Sequence, residues 1–538
     1  MPKCGGGIVI TKACLPGGHQ QRARLAKTTR NVRKSQSPKA ARRRGFSAIL
    51  RRASHQRVTI FLHGSALCPY PDLCTVATVK TIDYSPALRK SPKQAVINFT
   101  QKMKSTSIVS LLCSFLNLTS AAAGVVNTTY YLSTTPPFGN GSSPSAPLDA
   151  SSQAKLDAIW AQYMWQGSDT PSTSVTFIYA PGLYQTKGCN TDVGPNTIYS
   201  GNYHIGAGVD KTTIQLVGAS HLTGDGIIFG VAAPHWVTGW GCSGMTLDCN
   251  AVNQPKWTGS GGTIGAIGCQ GGDHLSIQNV KLIGWGTATV KYECFPIGIF
   301  SANMSNRSMN HILIDSCLFT SPATGNKDGV SCAGINDDAK NNVIADSTCV
   351  ISNCQFIDCF SGTGFGYQHC YGAPSCINNF SINCDIGFFL EPVQSQFPGT
   401  TILVQGNVCL NTNRFAFILF HGSSAIDNIT FQQNTTKLNA NGIGICLTGE
   451  GIASPAANVN NVVARDNTLF SSAGNGNFGI YINENGTNDM RIQSVNVEGN
   501  YFYDFSSSPG SAIDLDPSSA VIVNSSVTNN YMQGSINY

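Results

Sequence analysis

From about residue 277 onward, the sequence repeats one short pattern. An alternating β-branched stretch ends at an Asn or Ser, a small-residue turn follows, and a second apolar stretch often opens with Gly. The aligned corner residues are Ser316, Asn353, Asn383, Asn407, Asn434, Asn467, Asn500 and Asn530. Their spacing drifts between 24 and 37 residues, which is the repeat length of solenoid proteins. The pattern therefore predicts a fold built from stacked repeats.

The chemistry of the corner residue indicates which kind of solenoid this is. Asn tolerates the left-handed backbone region and hydrogen-bonds its own backbone, so one Asn per repeat can stack at a common corner. The flanking stretches alternate with the two-residue period of strands, and no helical spacing separates them. Pairing each strand with its copy in the next repeat satisfies the backbone groups. We predict an all-β fold, a right-handed parallel β-helix of about a dozen coils.

The first part of the chain differs from the rest in charge. Residues 1–102 contain 20 Lys and Arg but only the acids Asp72 and Asp83, and they show no hydrophobic period. This composition predicts a disordered segment or an over-extended start of the chain. An organelle transit segment and a nucleic-acid-binding arm are the alternatives. We expect no nucleic-acid partner for the β-helix itself.

Residues 103–123 have the pattern of a secretory signal peptide. A basic start, an apolar run and the ending Ala121-Ala-Ala123 follow in order. The run is too short to span a bilayer, and a buried apolar strand is the alternative interpretation. Cleavage after Ala123 leaves 13 Lys and Arg against 26 Asp and Glu, a net charge of −13. The sequence therefore predicts a secreted, acidic protein without a membrane span.

The segment after the signal peptide divides into a linker and a helix. Residues 124–150 are rich in Thr, Ser, Pro and Gly and predict a linker, which places the β-helix domain at residues 151–538. Apolar residues then fall at helical spacing at Leu156, Ile159, Trp160, Tyr163 and Met164. We predict an amphipathic helix over Ser152 to Trp165 that caps the open end of the β-helix and protects its strand edges.

Fifteen of the 20 cysteines follow the signal peptide. Their spacings do not match the tight pairs of zinc sites. Export favours disulfides, whereas stacking inside the coils favours reduced thiols that act as small apolar residues. Both interpretations are open from the sequence.

Several motifs of the first coils occur in a specific order. A strand over 175–184 contains Pro181-Gly182, a turn follows at Tyr203-His-Ile-Gly-Ala-Gly208, and 212–216 and 244–250 follow as further coil segments. Together with the preceding helix, this order resembles the pectate-lyase-like superfamily of polysaccharide-degrading β-helices. The resemblance implies either a glycoside hydrolase or a polysaccharide lyase, and the lyases use calcium with an Arg or Lys base.

A second strand of each coil often ends on a polar or ionisable residue. Stacking predicts one stripe of these ends, formed by Asn303, Asp337, Asp338, His369, Glu391, His421, Glu484 and Asp516. Asp338 and Glu391 are then two coils apart, about 9.6 Å. That separation is close to the range of about 6.5–9.5 Å that inverting glycosidases use.

The stripe leads to a set of predicted roles. Asp338 and Glu391 are the acid and base, with Asp337 and His369 tuning them. The predicted substrate contacts are made by Tyr367, Arg414 and His421. If the protein is a lyase, Asp337 and Asp338 are the candidate calcium ligands; otherwise we expect no cofactor. The alternative function is a non-catalytic glycan-binding adhesin or surface β-helix protein, and the sequence predicts no oligomeric state.

Overall fold

The computed structural model describes the chain between residues 126 and 533, with gaps. The described residues are 126–166, 171–189, 196–218, 226–231, 235–254, 264–269, 271–286, 296–300, 311–320, 331–336, 347–359, 363–394, 401–421, 426–450, 458–472, 476–485, 490–505, 511–515 and 520–533. The predicted basic segment and signal peptide lie outside them. No helix in these ranges combines the length and hydropathy needed to cross a lipid bilayer.

Strands dominate the described chain. The first are β1 (Val126–Ser133), β2 (Leu148–Asp149), β3 (Thr173–Tyr179), β4 (Gly182–Thr186), β5 (Asn202–Gly206), β6 (Thr212–Leu216), β7 (Gly226–Gly230), β8 (Val237–Asp248), β9 (Ile264–Cys269), β10 (Gly272–Ile283) and β11 (Ile297–Phe300). The middle ones are β12 (Ile312–Asp315), β13 (Leu318–Phe319), β14 (Ser331–Asn336), β15 (Ser347–Ser352), β16 (Gln355–Ile357), β17 (Thr363–Ile377), β18 (Phe380–Ile382), β19 (Ile386–Gln394), β20 (Thr401–Gln405), β21 (Val408–Thr412) and β22 (Phe415–His421). The last are β23 (Ile426–Gln432), β24 (Thr435–Leu438), β25 (Ile443–Glu450), β26 (Asn458–Arg465), β27 (Thr468–Phe470), β28 (Phe478–Asn485), β29 (Met490–Glu498), β30 (Tyr501–Tyr503), β31 (Ser511–Leu515), β32 (Ala520–Thr528) and β33 (Tyr531–Gln533).

The strands stack into three parallel ladders. Sheet A contains two of them: its first ladder includes β12, β15, β20, β23, β26, β29 and β32, and its second ladder includes β13, β16, β18, β21, β24, β27, β30 and β33. Sheet B contains β7, β9, β11, β14, the first half of β17, β19, β22, β25, β28 and β31. Each coil visits the three ladders in the same order. The predicted right-handed parallel β-helix is therefore confirmed.

Alternating apolar residues fill the interior of the coils in register. One inward column of the first ladder is formed by Ile277, Ile314, Ile351, Cys376, Val404, Phe431, Ala464 and Val497. All eight side chains are buried. Full burial of one such aliphatic or aromatic side chain stabilises the fold by about 1.5–3 kcal/mol. Stacked columns of this kind fix the register of each coil on the next.

An asparagine ladder occupies the corner between the two ladders of sheet A. It is formed by Asn379, Asn407, Asn434, Asn467, Asn500 and Asn530. From Asn407 onward, each Oδ1 accepts from the backbone N–H and from the Nδ2 of the preceding asparagine, at 2.9–3.0 Å. The Oδ1 of Asn379 accepts from the backbone N–H of Cys354 at 2.9 Å. The side-chain amides thus continue the hydrogen bonding of the strands around the turn.

The predicted column of corner residues is wrong at three members. Ser316 and Asn353 adopt the left-handed backbone conformation one position before the ladder, so that Cys317 and Cys354 follow them in the ladder position. Asn383, also left-handed, lies at the other corner, between the second ladder and sheet B. Its Oδ1 accepts from Asn411 Nδ2 at 2.9 Å. Both corners need a left-handed residue, and Asn suits both.

The described residues contain one α-helix, α1 (Gln153–Tyr163). It begins one residue after the predicted start and ends two residues before the predicted end. Its buried face is formed by Leu156, Ile159 and Trp160. Trp160 Nε1 donates to the hydroxyl of Tyr179 at 2.9 Å, so the helix is tied to strand β3 of the first coils. The proposed capping role of this helix stays a prediction. A 3₁₀-helix, Ala251–Asn253, follows β8.

The predicted linker is wrong for part of residues 124–150. Strand β1 pairs in parallel with β3 from Val126 opposite Thr173 to Leu132 opposite Tyr179. The β-branched and aromatic residues of β1 suit a strand, and Leu132 is buried in the core. The Pro, Gly and Ser residues are concentrated in the connection from β1 to β2. The β-helix therefore begins before residue 151.

Twelve of the cysteines in the described ranges are buried and form no disulfide. For these residues the interpretation as stacked apolar thiols is confirmed, and the expected disulfides are absent. Burial raises the pKa of the Cys269 thiol to about 12 and raises the pKa values of Cys349 and Cys376 as well. Because the thiolate is the reactive form, these buried thiols are chemically inert in the folded protein.

Candidate functional site

The outer face of sheet B carries two rows of apolar side chains across four consecutive coils. We call these eight residues the apolar face: Ile386, Phe389, Phe415, Ile418, Ile443, Cys446, Phe478 and Tyr481. Ladder pairing aligns Ile386 with Phe415, Ile443 and Phe478 in one row, and the other four residues in the second row. Ile386, Ile418 and Cys446 are buried, whereas Phe389, Phe415, Ile443 and Tyr481 are only partly buried. The face is separate from the hydrophobic core.

A break in strand alternation produces this outer face. Phe388 and Leu390 belong to the core, whereas Ile386 and Phe389 pack in the separate outer cluster. The two intervening residues, Gly387 and Phe388, thus interrupt the two-residue period, as in a β-bulge. A Cβ atom on Gly387 would lie 2.5 Å from the Ala416 carbonyl oxygen and 2.8 Å from Cys409 Sγ. Only glycine fits this close approach to the next coil.

Glu391 lies on the outer face of strand β19, three residues before the end of the strand. It follows Phe389 by two residues, and only 6% of the residue is exposed. In the ladder it lies opposite Gln368, which lies opposite Asn336. Burial of a carboxyl group is costly unless its surroundings compensate for the lost hydration, so a position of this kind marks a candidate functional group.

One ion pair flanks the apolar face at the other end of the strands. Asp385 precedes Ile386, Arg414 precedes Phe415, and Arg414 Nε donates to Asp385 Oδ2. The backbone N–H of Arg414 also donates to the Asp385 carbonyl oxygen at 2.9 Å. The Arg414 side chain is 57% exposed and that of Asp385 is 13% exposed. The guanidinium charge is therefore balanced by a neighbouring carboxylate within the protein.

The predicted single stripe of strand ends has a different register in the structure. Glu391 aligns with Gln368, and His369 falls at a register shift between Gln368 and Cys370. His421 aligns with Gly449 and Glu484 in a neighbouring column. The bulge in β17 is the physical reason, because one extra residue displaces every later position. The ends therefore form two adjacent columns.

The remaining predicted site residues lie at several places. Tyr367 aligns with Leu390, whose side chain is buried in the core. Arg414 lies at the edge of the apolar face, as described above. Asp337 and Asp338 lie outside the described residues. Strand β14, which precedes them, is separated from β19 by β17 alone, and its last residue, Asn336, lies in the same column as Glu391. The separation of Asp338 from Glu391 stays a prediction.

Sequence reasoning missed the apolar face and the Asp385 partner of Arg414. The signal for the face is the repeated three-residue spacing of Ile386 with Phe389, of Phe415 with Ile418, and of Phe478 with Tyr481. Strict alternation would have placed the members of each pair on opposite sides of the strand.

No three His, Cys, Asp or Glu side chains of the described residues lie together as a possible metal site. The candidate calcium ligands Asp337 and Asp338 are not among those residues, so calcium binding stays a prediction for them.

Comparisons with known proteins find remote structural neighbours. No family model matches the sequence, and no functionally curated protein matches it significantly. Among solved structures, the family 28 exopolygalacturonase of Yersinia enterocolitica is similar, with 8% identity, a TM-score of 0.39, and coverage of 68% of this chain and 73% of that chain. The A-module of an Azotobacter vinelandii mannuronan C-5 epimerase has 14% identity, a TM-score of 0.33, and coverage of 71% and 94%. A surface adhesin of Streptococcus pneumoniae has 18% identity, a TM-score of 0.37, and coverage of 67% and 89%. At these identities the similarity concerns the fold alone.

Proposed function

We propose that this protein is a secreted enzyme that cleaves a polysaccharide lying across the outer face of sheet B. The observation that carries the proposal is Glu391, a nearly buried carboxyl group on the same strand face as Phe389. Apolar rings next to an acid provide surfaces for sugar rings and a group for proton transfer. The sequence resemblance to polysaccharide-degrading β-helices agrees with this assignment.

The proposed reaction is hydrolysis by two carboxyl groups. Strands β14 and β19 are two rungs apart, about 9.6 Å, which is near the separation that inverting glycosidases use. One group of the pair Asp338 and Glu391 gives its proton to the glycosidic oxygen as the bond to the anomeric carbon breaks. The other takes a proton from the water that attacks this carbon from the opposite side. Asp337 and His369 tune the pair, and Arg414 and His421 contact the substrate. Tyr367 is left out of this proposal, because it lies in the inward column of Leu390 and Leu419.

The test is an assay of the purified full chain on a panel of polysaccharides, with and without calcium. We expect new reducing ends, no unsaturated uronate absorbance and no calcium requirement. Glu391→Gln should lower the rate by about 10²–10⁴-fold, because proton transfer is lost while the shape is kept. Glu498→Gln, at the end of β29 on sheet A, is the matched control and should keep the wild-type rate.

Two outcomes contradict this assignment in different ways. A full rate in Glu391→Gln removes Glu391 from the reaction. Calcium-dependent formation of unsaturated uronate products identifies a lyase instead, with Asp337 and Asp338 as calcium ligands and Arg414 as the candidate base.

A second candidate function is glycan binding without cleavage, as in an adhesin. The aromatic rings of Phe389, Phe415, Phe478 and Tyr481 on one strand face favour it. Binding of a glycan by the wild-type protein, with no product from any member of the panel, would establish this function.

A further inference from the structure

The last described strand of each ladder pairs on one side only. Strands β31, β32 and β33 pair in parallel with β28, β29 and β30 of the coil before. Within the described residues, no further strand pairs with them on their other side. The longest of the three, β32, has nine residues and pairs with β29 along its whole length. Its other edge therefore has a row of backbone N–H and C=O groups that a further strand can pair with.

The side chains of this last coil are exposed, including those that point inward. Residues 523–529 are all exposed, whereas residues 492–500 of the coil before are buried or partly buried. Val527 continues the inward column of Val497, but Val527 is 45% exposed and Val497 is 0% exposed. Ser525 is the polar inward residue of β32, because it pairs with the buried Val495. The other apolar residues at this end pack on the core and are only partly buried: Ile513, Leu515, Ile522 and Met532. The core is therefore open to solvent at this end.

The edge strand β32 also lacks the charges that usually protect a sheet edge. Each of the three preceding strands of the first ladder has a charged residue: Asp427 in β23, Arg465 in β26, and Arg491 with Glu498 in β29. Strand β32 has neither a charge nor a proline, and β33 has neither as well. Charges and prolines on edge strands prevent them from pairing with another chain. This edge is thus suited to pairing.

A second copy of this chain is the partner that fits this edge. A two-fold rotation that brings β32 beside its own copy makes the two strands antiparallel, so that their free backbone groups pair. A charged residue near the axis would face the same charge on the other copy, and β32 has none. The same rotation places β31 beside β33 of the other copy. Asp514, the one charged residue of the three edge strands, then faces an uncharged strand.

The opposite end of the described coils differs from this one. There the ring of Tyr130 in β1 contacts the ring of Tyr163 in α1 at 4.5 Å, and Leu132 is 1% exposed. Head-to-tail stacking of copies would have to displace these contacts, whereas pairing of two β32 edges leaves them intact. We propose that β32 and the open end of the core form a two-fold interface between two copies of this chain. The proposal is independent of the proposed function, because it uses no residue of that site.

The first measurement is the mass of the full chain in solution, by sedimentation velocity and light scattering over a range of concentrations. We expect a species with twice the mass of one chain that dissociates on dilution. Because the paired edges are uncharged, its dissociation constant should change less than about twofold between low and high salt.

A lysine at the open end of the core locates the interface. Val527→Lys should raise the dissociation constant of the dimer by at least about 100-fold, because it places two like charges in the contact. Val252→Lys is the matched control. Val252 is 67% exposed and lies in the 3₁₀-helix after β8, so this variant should dimerise like the wild type. Thermal unfolding of both variants verifies that they are folded.

Amide hydrogen exchange of the wild-type protein tests the same interface without a substitution. Peptides from β32 should exchange more slowly at a concentration where the dimer forms than at one where it dissociates, since pairing adds hydrogen bonds to this edge. Peptides from β23, in the interior of the same ladder, should exchange equally at both concentrations.

The possible outcomes divide clearly. A dimer that Val527→Lys dissociates, with protection of β32 in the wild type, supports the proposal. A single chain at every concentration overturns it, and so does a dimer that Val527→Lys leaves intact. Masses that exceed two chains and grow with concentration indicate head-to-tail stacking and overturn it as well. If Val527→Lys does not fold, equal exchange of β32 in the wild-type dimer and single chain overturns the proposal.

Discussion

Replacing Asn434 with alanine tests the asparagine ladder at its centre. Asn434 is 1% exposed, and its side chain makes four hydrogen bonds. Its Oδ1 accepts from the backbone N–H and from Nδ2 of Asn407, both at 3.0 Å. Its Nδ2 donates to the Val404 carbonyl oxygen and to Asn467 Oδ1, both at 2.9 Å.

The expected destabilisation follows from these four bonds. A net contribution of about 1 kcal/mol for each bond gives a loss of about 4 kcal/mol in the free energy of unfolding of this region. The loss is local, because a solenoid is stabilised by contacts between neighbouring repeats. Asn530→Ala is the matched control at the end of the ladder. Asn530 is only partly buried, so water replaces part of its hydrogen bonding and the loss should be smaller.

Amide hydrogen exchange at single-residue resolution measures this effect. In Asn434→Ala the amide of Asn407 loses its acceptor and should exchange faster, by about tenfold for every 1.4 kcal/mol lost. The amide of Val175 in the first coils is an internal comparison, because its hydrogen bond to the Gly201 carbonyl oxygen lies many coils away from the substituted corner. Equal exchange rates of the Asn407 amide in the variant and the wild type, or a loss of less than about 0.5 kcal/mol in the free energy of unfolding, would show that the asparagine ladder does not stabilise this corner.

Three further predictions concern the core. Acidification should destabilise the fold, because burial lowers the pKa of His204 from 6.5 to about 3. The stability that the neutral His204 side chain contributes is complete above pH 6.5 and is lost as the pH falls towards 3. The free energy of unfolding in urea should therefore be about 2–3 kcal/mol lower at pH 4.5 than at pH 7. An equal loss in His204→Leu would contradict this explanation. Peptides containing Cys349 and Cys376 should stay unlabelled by an alkylating reagent until denaturant is added, and labelling of the native protein would show that these thiols are accessible. Gly479→Val should destabilise by about 1–3 kcal/mol, because its Cβ would lie 2.3 Å from the Ala512 carbonyl oxygen, and an unchanged Tm would contradict the packing.

The stacking of the coils could be predicted from the sequence, because every coil repeats its strands and one corner. The inward column through Ile314, Ile351 and Val404 follows directly from the alternation that the sequence displays. The exact ladder positions could not be predicted. Asn379 and Asn383 lie in the same coil, and only the coordinates show that Asn379 reaches the next asparagine while Asn383 lies at the second corner.

The candidate site was predicted less completely than the fold. Glu391 could be predicted as a site residue because the repeated apolar pattern of the sequence stops at it. Its neighbours were misplaced, because a bulge at His369 and the break in alternation at Gly387 shift residues between columns and faces. Such irregularities depend on close approaches between coils, like that of Gly387 to Ala416, and a strand pattern does not contain them.

The most direct measurement for the central claim is a hydrogen-exchange footprint of the full chain with and without the polysaccharide that it binds. We expect protection of peptides from β19, β22, β25 and β28, whose outer faces carry the apolar rows and Glu391. Peptides from the second ladder of sheet A, such as β27 and β30, should exchange at the same rate in both states. Protection confined to sheet A, with none on sheet B, would contradict the account.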